Sequence, residues 1–97
     1  MKNIFKDLFV LDLANNHFGN VVHGNKIIND YGKIIRKQKL NATIKFQFRN
    51  LNTFIHPNFL NSDEKYVKRF MSTKLSDNDF QKLFNNVKKN KLLTSCT

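Results

Sequence analysis

The 97-residue sequence has no tryptophan, one cysteine, one proline, three glycines and only three arginines. A lone cysteine, Cys96, excludes an internal disulfide, which suits a reducing compartment. It has no identifiable activating base beside it, so it reads as a small core residue rather than a nucleophile. Glycine is too sparse for a phosphate loop, because Gly19 stands without the repeated glycines such loops need. No apolar run approaches the roughly 20 residues that span a bilayer. The apolar stretch near the start, Leu8 to Leu13, follows Asp7, is interrupted by Asp12 and leads into no small-residue cleavage site. Neither a membrane span nor a secretory signal is expected, and the sequence predicts a soluble, cytoplasmic chain. Its length leaves no room for a second domain, nor for a complete eight-stranded α/β barrel of about 250 residues.

Acidic residues are scarce as well. Seven Asp and Glu oppose 17 Lys and Arg, for a net charge of +10. Such a balance points toward a polyanionic partner, since cations gain affinity by releasing phosphate counterions. Composition offers a plainer cause. Asn (15), Lys (14), Phe (10) and Ile (7) make up nearly half the chain, and all four have A/T-rich codons. Drift in a biased genome raises Lys at every tolerant surface position, whereas nucleic-acid readers favour the forked guanidinium of Arg. Nucleic acid is therefore not the expected partner. A small basic nucleic-acid-binding module remains the second reading, resting on Phe46 and Phe48 alternating with Lys45 and Arg49. No Gly-flanked aromatic motif of that type accompanies them.

What the chain does contain is strand and helix in alternation. Leu8 to Leu13 is a short, nearly continuous apolar run, the pattern of a parallel strand covered on both faces. The polar stretch from Ala14 to Asn20 is a loop. From Val21 to about Lys39, Ile27, Tyr31 and Ile34 interleave with Ile28 and Ile35 at helical spacing, with Gly24 and Gly32 as the weak points. Ala42 to Phe48 alternates, with Ile44, Phe46 and Phe48 on one face and Lys45 and Gln47 on the other. A polar connection with a helical turn near Glu64 to Phe70 follows. Ser76 then caps a helix carrying the stripe Phe80, Leu83, Phe84 and Val87, and Asn90 is placed to end it in the left-handed conformation. Leu92 to Cys96 is the third strand. Strand–helix–strand–helix–strand with buried-type strands predicts an α/β fold with a parallel sheet, and an unfinished one, as in a truncated (β/α)8 barrel.

In parallel α/β folds the chemistry lies at the carboxyl ends of the strands. Asp12 ends the first, Lys45 and Gln47 share the second, and Thr97 follows the third. An inward-facing Lys45 needs an anionic partner, protein or ligand. An edge strand with Lys45 and Gln47 in water fits the alternation equally well, and Asp12 fits a turn-forming role. His17, His23 and His56 match no metal-ligand spacing, and surface positions suit His23 and His56.

These stretches together, namely Leu11 to Gly19 with Asn16-His17-Phe18-Gly19, Lys45-Phe46-Gln47, Leu75-Ser76-Asp77 and Leu93 to Thr97, resemble the start of the sialic acid synthase (N-acetylneuraminate synthase) family. The resemblance implies a (β/α)8 barrel, of which residues 1–97 are the amino-terminal part. It implies condensation of phosphoenolpyruvate with an N-acetylated amino sugar such as N-acetylmannosamine, with release of phosphate. It makes Lys45 a contact for phosphoenolpyruvate, Gln47, Asn16 and Thr97 substrate-binding residues, and Asp12 the catalytic-site carboxylate. The family usually has Glu at that position and Thr where this chain has Phe48. Its divalent metal, Mn or Mg, has its ligands in later strands. The isolated chain is expected to be inactive and, with an open sheet, to self-associate.

Overall fold

The computed structural model describes residues 3–48, 55–59 and 61–97. The elements run β1 (Leu8–Asp12), α1 (Val21–Gln38), β2 (Asn41–Phe46), a 3-10 turn (Pro57–Phe59), α2 (Lys65–Ser72), α3 (Asp77–Lys89) and β3 (Leu93–Cys96). The three strands form one parallel sheet in the order β1-β2-β3. The expected α/β class, parallel sheet and strand–helix alternation are all present. The helical turn near Glu64 is a full helix, α2, inserted between β2 and α3. Arg49, half of the basic–aromatic alternation, lies outside the described residues. Among the described residues no helix is long and apolar enough to cross a membrane.

Local signals account for the helix ends. The Asn20 side chain accepts from the His23 amide, Glu64 from the Tyr66 and Val67 amides, and Ser76 from the Asp79 amide. α1 closes through Lys39 in the left-handed region, with the Leu40 amide donating to the Ile35 carbonyl. α3 closes the same way, but the left-handed residue is Lys91 (φ 59°) and not Asn90, whose φ is −80°. Asn90 spends its amide elsewhere, donating to the Asn86 carbonyl and to Asn29 on α1. That cross-helix role explains why the next residue takes the strained conformation.

One face of the sheet carries the core. Ile44 and Phe46 of β2 are buried with Leu13, Ile28 of α1, and Leu83 and Val87 of α3, and Leu11, Phe80 and Phe84 pack around them. Gly24 allows α1 to approach α3, since a Cβ there would stand 2.9 Å from a Leu83 methyl. The register puts Asp12 beside Lys45, and Lys45 beside Ser95, so these residues share the other face.

Two expectations about burial are corrected. β1 and β3 are not covered on both faces: Phe9 and Val10 are half exposed, and most of β3 is open to solvent. Among the described residues each pairs only with β2, and both helices of the core lie on one side, so the apolar content of β1 meets no second layer of described residues. Cys96 is exposed rather than a core residue, because it stands on an edge strand.

Candidate functional site

The carboxyl end of the sheet is built around the turn that follows β1. The ladder continues past the strand, with the Leu13 amide donating to the Lys45 carbonyl at 3.0 Å. The chain then folds through successive tight turns: the amides of Asn16, Phe18 and Asn20 donate to the carbonyls of Leu13, Asn15 and His17. Ala14 and Phe18 take positive φ, an unfavourable backbone that the surroundings must hold in place, and Gly19 takes it without that cost. At Gly19 (φ 70°) a side chain would also stand 3.2 Å from the carbonyl oxygens of Ser72 and Lys74.

On the face away from the helices, Lys45 Nζ lies 3.6 Å from Asp12 Oδ1. The pair is open to solvent, with the lysine side chain 33% exposed and the aspartate 63%. Below it on the same face, Thr43 Oγ1 donates to Ser95 Oγ at 3.2 Å, and Thr43 is buried. β2 is the central strand, so the edge-strand alternative for Lys45 and Gln47 is excluded among these elements.

Gln47 lies half-buried beyond β2, in a small open hollow of about 60 Å³ shared with Asn15, His17, Lys74 and Phe80. His17 is buried, and its Nδ1 accepts from the Gly19 amide at 2.9 Å. Its ring meets Phe80 edge-on at 6.4 Å. Burial, and to a lesser degree the neighbouring His23, lower its pKa from the ordinary 6.5. A neutral His17 whose Nδ1 accepts carries its proton on Nε2, which leaves that nitrogen as its donor.

The sequence-predicted residues thus divide. Asp12 and Lys45 meet directly, whereas Gln47 lines a hollow whose lining includes neither of them. Thr97 joins the ladder, donating its amide to the Phe46 carbonyl and accepting from the Phe48 amide. Asn16 is not drawn into that corner, and lines a separate groove against α2. His23 and His56 are exposed, as expected. Among the described residues no three His, Cys, Asp or Glu side chains gather as a metal site requires. Asn15 and Lys74 were not singled out by sequence, and His17 only within the Asn16–Gly19 stretch and as a histidine without metal-ligand spacing, although a histidine two residues before a turn glycine is placed to accept that glycine's amide.

Neither a family profile nor a curated protein sequence matches the chain. Among solved structures it is similar to the crystal structure of a protein from Chromobacterium violaceum ATCC 12472 described as spore coat polysaccharide biosynthesis protein E. The TM-score is 0.83 and the sequences are 38% identical over 94% of this chain. This chain spans 28% of the length of that protein.

Proposed function

We propose that this chain is the amino-terminal part of a sialic-acid-synthase-like (β/α)8 enzyme of carbohydrate biosynthesis, and that the open face of its sheet forms one corner of the substrate mouth. The observation that carries this reading is the meeting of Lys45 and Asp12 at the carboxyl ends of adjacent parallel strands, with Gln47 in the segment that follows β2. The similarity to a polysaccharide biosynthesis protein supports it.

In this reading Lys45 supplies the point charge that the phosphate or carboxylate of phosphoenolpyruvate needs. Gln47 offers a donor and an acceptor to the hydroxyls of an N-acetylated amino sugar, and Asp12 accepts from two of them. A ligand phosphate reaching Lys45 competes with Asp12 for the ammonium, which frees the carboxylate for the sugar. The condensation forms a carbon–carbon bond between phosphoenolpyruvate and the sugar aldehyde, water adds at the former enol carbon, and phosphate leaves. Thr97 lies at the same end of the sheet and Asn16 on its periphery. The residues described here do not compose a site for the divalent Mn or Mg that the resemblance implies, so no step is assigned to it. A second phosphate clamp and the exclusion of water also need further strands, and the chain alone is inactive in this reading.

Steady-state kinetics in a full-length protein carrying this segment test the proposal, with each substrate varied in turn. Lys45→Ala should raise KM for phosphoenolpyruvate, whereas Gln47→Ala and Asp12→Asn should act on the sugar side. An unchanged phosphoenolpyruvate dependence in Lys45→Ala would overturn the assignment.

A further inference from the structure

A second polar concavity, separate from the Lys45–Asp12 corner, lies between the turn after β1 and helix α2. It encloses about 420 Å³, within the range of small-ligand sites, and its lining includes Asn15, Asn16, Phe18, Lys65, Lys68 and Arg69. Lys65, Lys68 and Arg69 fall at i, i+3 and i+4, so a single face of α2 directs three cations into it. Among the described residues no carboxylate lines the groove. Glu64, the nearest in sequence, is occupied in capping α2 through the Tyr66 and Val67 amides. Asp63 reaches Lys68 at 3.5 Å from a fully solvated position, a weak competitor. Among the described residues, Lys65 and Arg69 have no acidic partner at all. The opposite wall offers the uncharged amides of Asn15 and Asn16, which can both donate and accept.

Two features separate this cluster from the general excess of lysine. Codon drift toward A/T raises Lys and lowers Arg, yet one of only three arginines in the chain stands here. Beside the cations is a large aromatic in an unusual place: Phe18 is 68% exposed, on a residue of positive φ, with its ring against His23 at 5.4 Å. An apolar ring held out in water next to three cations suits a ligand with a planar ring at one end and several negative charges at the other. The geometry points to a nucleoside di- or triphosphate bound in this groove, its base on Phe18 and its phosphates on Lys65, Lys68 and Arg69.

The free nucleotide is favoured over a nucleic acid strand because the groove is short and the cations sit on two turns of one helix. Calorimetric titration of the whole chain with ATP, with inorganic tripolyphosphate and with a single-stranded oligoribonucleotide at about 150 mM salt (near physiological ionic strength) tests this. ATP should bind saturably. Arg69→Ala and Lys65→Ala should each weaken it about tenfold, the loss of one charge-assisted hydrogen bond. Phe18→Ala should weaken ATP and leave tripolyphosphate unchanged. Lys88→Ala, which removes the same charge from α3 outside the groove, should leave ATP affinity intact, and the circular dichroism of each variant should match the parent chain. Absence of saturable ATP binding at millimolar concentration would overturn the proposal. So would equal effects of Lys88→Ala and Lys65→Ala, indifference of ATP to Phe18→Ala, or tight binding of the oligoribonucleotide alone.

Discussion

Asp12 and Lys45 stand opposite one another in the β1–β2 register and join through a 3.6 Å ion pair on the side of the sheet away from α1 and α3. Their exposure decides what the pair is worth. A solvated pair of this kind contributes at most about 1 kcal/mol to stability, because the attraction is screened and two side chains must be held in place. Lys45→Ala and Asp12→Asn should therefore shift the unfolding midpoint of the chain very little. Denaturant titration of both variants checks this, and a loss of several kcal/mol would make the pair a structural element rather than a site.

His17 makes the strongest prediction about pH. Its pKa in the folded chain is lowered by burial and by His23, so between that value and the unfolded value near 6.5 the unfolded chain binds the extra proton. The stabilising contribution is complete above about pH 6.5 and is lost as pH falls below it. Thermal melts between pH 7.5 and pH 5 should show the midpoint falling, and His17→Gln should flatten that slope. A slope identical in the variant would place the acid sensitivity elsewhere.

Gly19→Ala is expected to cost about 1–2 kcal/mol, the penalty of a left-handed backbone for an L side chain. Close carbonyls of Ser72 and Lys74 leave the new methyl no easy retreat. Because the Gly19 amide donates to His17 Nδ1, the variant should also alter the imidazole environment. Chemical denaturation measures the first effect and the imidazole resonances in NMR the second. An unchanged His17 resonance would show that the turn does not hold the ring.

How much of this was legible in the sequence follows from the range of the interaction involved. α1 and α3 were readable because their signals are local: Ser76 caps its own third amide, and Leu83 and Val87 recur on one helical face. The alternation of Ile44 and Phe46 with Lys45 followed from the two-residue period of a strand, whereas Gln47 falls beyond the end of β2, where that period no longer applies. Pairing is a different matter. Nothing within Leu8–Asp12 records that Asp12 falls beside Lys45, or that Thr43 meets Ser95 across 52 positions. Burial of β1 misled for the same reason, since an apolar run reports what a strand can bury and not which layers cover it. Asn90 shows local propensity overridden: it ends α3 without the left-handed turn, its side-chain amide bridges Asn86 and Asn29, and Lys91 takes the positive φ in its place. Asn16 belongs to the right loop but lines a different groove, because three turns within a few residues aim neighbouring side chains in different directions.

The last prediction concerns association of the chain with itself. Within the described residues β1 and β3 each bond to β2 only, so each presents one unpaired edge. Apolar side chains stand beside those edges: Phe9 is 50% exposed, Val10 54% and Leu93 37%. Val10 and Leu93 both neighbour Thr43 in the register and so lie on the uncovered face. Against this acts the net charge of +10, which repels like copies at long range. Salt weakens that repulsion, with a screening length of about 10 Å at 0.1 M, and leaves the apolar and edge contributions in place. Self-association at high micromolar concentration should therefore grow as salt is raised. Val10→Lys, which sets a charge on the exposed strand, should reduce it without unfolding the chain. Light scattering across a salt series measures the mass. A monodisperse monomer at every salt concentration would mean that the edges are protected by something other than charge.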